Sequence, residues 1–342
     1  MLRLLRRQSF LVGLAIVVAA AVAAPGIGRN GGPLAPERWQ GFLVFGIFLC
    51  SGLELPTNAL GVALRDVRLH VFVQGVSLGV APLLFFAATR ALEPTSLPRA
   101  LLEGFVVLGC LPTTVTSGVA FTRASGGDEA GALFNATLGN LIGIFVTPLS
   151  ILFMTGRHAA APVGTVAMQL AWQVAAPVAL GQLLQRIARG CISKARSPAG
   201  PWLRRSSVFL LLAIIYLVFC NSLSRGLAVS ASYVIAAVLI AAALHVGLIA
   251  VAFGLSRLAI WRFSRPRRTA AIICSTQKTT ALGLPLLAIL YRDDPSIGLV
   301  ALPLLIYHPL QLLVAGVAVD AWRTYNGVPI PPEPTAPERS AR

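Results

Sequence analysis

Apolar runs long enough to cross a membrane follow one another along almost the whole chain, and that pattern limits the fold more than any motif does. A spanning helix needs roughly 20 mostly apolar residues, because the hydrocarbon layer is about 30 Å thick and each residue rises about 1.5 Å. Ten segments fit this template: Phe10–Ala24, Gln40–Leu60, Leu69–Ala91, Ala100–Ala120, Ala130–Phe153, Val163–Leu184, Leu203–Leu223, Leu227–Leu255, Ala270–Leu290 and Ile297–Trp322. Hydrocarbon offers no partner to a free backbone N–H or C=O, so such segments form helices. The predicted fold class is all-α: a polytopic membrane protein of ten transmembrane helices.

Composition agrees. Only 12% of the 342 residues are charged and 56% are hydrophobic, whereas a soluble domain carries about 25% charge. The net charge of +16 would suggest nucleic acid in a soluble chain. Here the basic residues sit in short connectors, so no nucleic-acid partner is expected, and the surrounding partner is the lipid bilayer. Lys and Arg beside short loops stay on the cytoplasmic side. Of the 28 Lys and Arg, ten alternating spans put twenty with the N-terminus and seven opposite, and leave Lys278 inside a span. This predicts a multi-pass protein of the cell (inner) membrane with both termini cytoplasmic.

The first run follows Arg3, Arg6 and Arg7 and also has the form of a cleavable signal; we read it as a retained helix, which makes an even ten. The five cysteines form no CxxC pair, so no disulfide framework or bound metal is expected. The segment 326–342 is Pro-rich and is expected to be a disordered cytoplasmic tail.

Two spans differ from the rest. The fourth carries Pro112, Thr113, Thr114, Thr116, Ser117 and Gly118. The ninth carries Ser275, Thr276, Gln277, Lys278, Thr279 and Thr280, then Gly283 and Pro285. Proline removes a backbone donor and crowds the preceding turn, so both segments are candidates for local unwinding. Unwound backbone survives at membrane depth only where protein or a wet cavity covers it. Ser and Thr can also bond back to their own helix, which is the plainer reading of either segment alone. The fourth and ninth of ten, however, occupy the same place in two five-helix halves, 1–156 and 157–325, and an odd number of helices per half inverts one half relative to the other. Polar, interrupted spans in matching places mark the binding site of a secondary transporter. Asn135 and Asn140 in span five, Gln74 in span three and His308 in the Tyr307-His308-Pro309 break of span ten are further candidates.

These residues resemble the bile acid:sodium symporter (SBF) superfamily, and most closely its divergent SBF-like branch. The resemblance rests on Leu111-Pro-Thr-Thr-Val-Thr-Ser-Gly-Val-Ala, Phe134-Asn-Ala-Thr-Leu-Gly-Asn, Thr147-Pro148, Leu69-His-Val-Phe-Val-Gln74, Cys274-Ser-Thr-Gln-Lys-Thr-Thr-Ala-Leu-Gly and Ile306-Tyr-His-Pro-Leu-Gln. It implies two inverted five-helix repeats, a panel and a core domain, and broken helices four and nine that cross at the substrate site. It also implies Na⁺ contacts near Gln74, Ser117, Asn140 and Gln277. Yet Gly118 stands where sodium-coupled members usually have Asn, and residues 270–290 hold no Asp or Glu where those members carry a Glu.

Lys278 is the one basic residue deep in a span, and a charge there marks a substrate or ion path more often than not. The resemblance suggests that its ammonium stands where relatives hold a cation, and that an anion at the crossover meets Lys278 and the positive ends of half-helices. The predicted function is secondary transport of a small organic anion by alternating access, with no cofactor, and with H⁺ as coupling ion or no coupling where relatives use Na⁺. An enzyme is not expected, because the four histidines are scattered and accompany no nucleophile motif. A channel, or a regulator of ion homeostasis, is the competing reading.

Overall fold

The computed structural model describes residues 9–54, 66–156, 163–191, 201–224, 230–291 and 294–329. Arg3, Arg6, Arg7, Arg65, Arg157, Lys194, Arg196, Arg225, Arg292, Arg339 and Arg342, span positions 55–60 and 227–229, and the Pro-rich tail from residue 330 lie outside the described residues. The described residues are helix and turn, with no strand among them.

In chain order the helices are α1 Ser9–Ala23, α2 Pro25–Gly28, α3 Pro36–Glu54, α4 Val67–Gly75, a π turn Val76–Val80, α5 Ala81–Leu92, α6 Arg99–Cys110 and α7 Val115–Ala124. There follow α8 Glu129–Thr155, α9 Val163–Cys191, α10 Pro201–Ser224, α11 Ala231–Ser256, α12 Arg265–Thr276, α13 Thr280–Leu290 and α14 Ile297–Asn326. Their ends carry ordinary punctuation. Asp128 caps α8 by accepting the N–H of Gly131 at 3.0 Å, and Asp66 caps α4 through Leu69 at 3.4 Å. Gly156 and Gly327 end α8 and α14 with φ of 69° and 72°, a conformation that costs glycine nothing.

By length and apolarity six spans can cross a membrane, and the α6–α7 pair, bent by 63°, makes a seventh among the described residues. Of the three remaining candidates, α1 has 15 described residues, α3 opens on the polar run Pro-Glu-Arg-Trp-Gln, and α9 is a 29-residue helix with Pro177 inside it.

The helices pack in two groups. One joins α1, α2, α3, α9 and α10; the other joins α4 to α8 with α11 to α14. Each group draws on both halves of the chain. Close contact is made by glycine: a Cβ on Gly52 of α3 would stand 2.3 Å from the carbonyl of Val178, and one on Gly181 of α9 2.5 Å from that of Leu49. Side chains at both positions would push these helices apart. In the second group Gly104 of α6 lies against α14 in the same way, with Val300 O 2.4 Å from the place of a Cβ. The span α12–α13 is 89% buried, against 28–61% for the other five. It is therefore the axis on which the second group is built.

Candidate functional site

Both polar spans are broken. Helix α6 stops at Cys110, residues 111–114 run extended, and α7 starts at Val115. Helix α12 stops at Thr276, residues 277–279 run extended, and α13 starts at Thr280. The breaks touch: the N–H of Thr279 donates to Pro112 O at 3.0 Å, and Ser117 Oγ donates to Gln277 Oε1 at 3.2 Å.

The first break is short of donors for a reason written in its sequence. Pro112 has no N–H, and residues 111–114 return a single N–H to the helix, Leu111 to Leu108 O at 3.3 Å, so the carbonyls that follow Leu108 have no helical partner. The π turn adds another such carbonyl. Ala81 N–H reaches back to Val76 O, and the next residue, Pro82, has no N–H, so Ser77 O is left over. No water enters hydrocarbon to satisfy such groups. Lys278 does so instead. Its Nζ donates to Ser77 O at 2.7 Å, Gly109 O at 2.9 Å and Leu111 O at 2.7 Å, matching the three donors of an ammonium. Thr147 Oγ1 donates to Cys110 O at 2.9 Å, and Asn140 Nδ2 to Thr113 O at 3.0 Å.

The second break is held by one side chain. Gln311 Oε1 accepts the N–H of Lys278 at 2.7 Å, and Gln311 Nε2 donates to Lys278 O at 2.8 Å. His308 Nδ1 lies 3.2 Å from the same Nε2. One residue earlier, Thr276 O accepts from Tyr307 Oη at 3.1 Å, and Tyr307 Oη lies 2.8 Å from His245 Nδ1.

The expected site residues therefore separate. Thr113, Ser117, Asn140, Gln277, Lys278 and Thr279 gather at the crossing, with His308 behind it. Gln74 and Asn135 meet elsewhere, on α4 and α8: Gln74 Nε2 donates to Asn135 O at 2.9 Å, and Asn135 Oδ1 lies 3.2 Å from His70 Nδ1. Ser275 and Thr276 bond back to Ala271 O and Ile272 O at 2.6 and 2.9 Å, the plainer reading of such residues. Thr279 caps α13 through the N–H of Ala281 at 3.3 Å, and Thr280 is buried in the first turn. Thr114 is half-buried and Thr116 exposed. Lys278 is 1% exposed with every donor taken, so the expectation that it meets an anion directly is corrected: its charge serves the end of α6, where the helix dipole is negative.

The charge pattern leaves two positive ends, the first turns of α7 and α13. Thr116 is the exposed residue between 101 and 119, and Ala281 the exposed residue between 268 and 290.

Residues 8–324 match the sequence profile of the SBF-like CPA transporter family. The chain belongs to that family. It is 34% identical to sodium/bile acid cotransporter 7 of Rattus norvegicus, with 95% of each chain covered. It is 34% identical to the protein of the same name from Danio rerio, covering 94% of this chain and 95% of the relative. An uncharacterized protein of Pseudomonas aeruginosa is 27% identical over 81% of each chain. The named relatives are transporters and not enzymes, and with the apolar helices they make this chain a multi-pass membrane protein of a transporter family.

Sequence reasoning gave too little weight to Gln311 and overlooked Ser77. Proline five residues after Ser77 inside an apolar helix is the signal that points to a freed carbonyl.

Proposed function

We propose that this protein is a secondary active transporter of the inner membrane that moves a small organic anion by alternating access, with its binding site where the two broken spans cross. The observation that carries this is the meeting of the breaks, Thr279 N–H on Pro112 O at 3.0 Å and Ser117 on Gln277 at 3.2 Å. Around them the N-terminal turns of α7 and α13 are exposed at Thr116 and Ala281, beside half-buried residues in α7 and buried ones in α13. Helix N-termini present unpaired N–H groups and partial positive charge, which suits an anion.

The two packing groups support a reading as ten spans in two inverted repeats, 1–156 and 157–325. Helices of corresponding rank from each half fall in the same group. Both termini then face the cytoplasm, as the basic residues suggest. For Na⁺ the residue set is poor. Residues 265–290 contain no carboxylate, Asn140 turns its Nδ2 donor on Thr113 O and Ala136 O, and Gln74 is engaged with Asn135. Transport is therefore proton-coupled or uncoupled, with Lys278 in place of a mobile cation.

Uptake of labelled organic anions into proteoliposomes tests this. Expected are saturation, exchange of labelled for unlabelled solute, and a KM raised about tenfold in Ser117→Ala, the loss of about one charge-assisted hydrogen bond. Ion conductance without exchange would make the protein a channel. Steep Na⁺ dependence unchanged in Lys278→Ala would remove the coupling scheme.

A further inference from the structure

The surroundings of Lys278 have the form of a cation site. Three neutral carbonyl oxygens converge on one point at 2.7–2.9 Å, and they come from two separate elements, the π turn of span three and the end of α6. Ser77 O lacks a helical partner because Pro82 has no N–H, and Gly109 O and Leu111 O lack one because residues 111–114 leave the helix; in neither case is the lysine the cause. No carboxylate is paired with Lys278 among the described residues. Carbonyl dipoles without a compensating carboxylate are the ligands of a monovalent ion, whereas a divalent ion demands anionic oxygens. Two further hydroxyls lie on the same segments without a partner among the described residues: Ser77 Oγ and Thr113 Oγ1, on residues 1% and 0% exposed.

We propose that the ammonium of Lys278 is the resident ion of a three-carbonyl monovalent-cation site, so that the core is built permanently cation-loaded, and that shortening this side chain converts the place into a site for free Na⁺, K⁺ or a small alkylammonium. This deepens the reading above, on which it rests, by naming the partner of Lys278 and the reason transport needs no metal cation. The wild-type core keeps its two breaks in register in any salt, because the charge is covalently attached. The linkage also joins spans three, four and nine through a single atom, Nζ.

Thermal unfolding of the full chain in nanodiscs tests this at equal ionic strength in sodium, potassium and choline chloride. The wild type unfolds at one temperature in all three. Lys278→Ala unfolds about 5 °C or more lower in choline and recovers at least half of that loss, saturably, in Na⁺, K⁺ or ethylammonium, the last of which replaces the deleted end of the side chain. A wild type stabilised by Na⁺ or K⁺ over choline overturns the proposal, as does a Lys278→Ala protein that gains no more from small cations than the wild type. If Lys278→Ala yields no folded protein in any salt, Lys278→Gln decides. Its neutral amide offers the carbonyls two donors and keeps a fold, so an unfolding temperature equal to the wild type's shows the charge dispensable and overturns the proposal, and a lower one supports it. The readout is independent of transport. Cation rescue in a protein that moves no anion keeps this inference and removes the transporter reading, while anion uptake without cation rescue does the reverse.

Discussion

The two helix breaks solve the same problem in opposite ways. The first, at residues 111–114, leaves carbonyls over and has no N–H at Pro112, so the partners of those carbonyls are donors sent in from outside: Lys278 Nζ, Thr279 N–H, Thr147 Oγ1 and Asn140 Nδ2. The second, at residues 277–279, has no proline in the break itself; its residue 278 keeps both backbone groups, which one amide, Gln311, pairs simultaneously. An acceptor-rich break and a donor-bearing break are complementary, and in a medium without water each is the other's solvent. The lesson is that two spans in matching places need not be chemically alike. Their crossing is stabilised by the difference.

Four substitutions order themselves by how many buried backbone groups each leaves unpaired, at a cost of about 1 kcal/mol or more per group. Lys278→Met strips three carbonyls of their donor and should cost about 3 kcal/mol, the largest effect, read as a lowered midpoint of unfolding in detergent. Gln311→Leu frees the N–H and C=O of residue 278 and should cost about 2 kcal/mol by the same measurement. Were it to equal or exceed Lys278→Met, the asymmetry between the breaks would be refuted. Thr147→Val, close in shape, removes one hydroxyl from Cys110 O and should cost about 1 kcal/mol; hydrogen exchange at the end of α6 should rise while that of α13 stays unchanged. Ser117→Ala touches no backbone carbonyl and should shift stability by less than about 0.5 kcal/mol, yet it should alter uptake, which separates binding from scaffolding at the crossing.

Much of this was legible from residues alone. Apolar length gave the helices from α4 to α8 and from α10 to α14 nearly as they stand, and Pro112 with its neighbouring hydroxyls marked the first break. The second break was legible from polarity rather than proline, since Pro285 lies inside α13. What the one-dimensional pattern could not supply was partnership. Ser275 and Thr276 look as functional as Ser117 when read in a line, but their hydroxyls point back to their own helix, and only a neighbour in space gives Ser117 the side chain of Gln277. Asn135 and Asn140, five residues apart on α8, face different partners because five residues carry a helix about 140° round its axis.

The sequence by itself determined the class, because hydrocarbon admits helices and little else. It did not determine from proline alone where helices fail, since Pro112 marks a break while Pro148, Pro285 and Pro309 stand inside continuous helices, so the break expected at Tyr307-His308-Pro309 is corrected. The destination of the single buried ammonium was decided by tertiary structure alone. Lys278 is 201 residues from Ser77 and 169 from Gly109, and local propensity carries no information over such distances. Three carbonyls left over by two irregular turns come within 2.9 Å of one nitrogen only when spans three, four and nine are packed together. The cost of leaving them unpaired in a dry interior then holds them there.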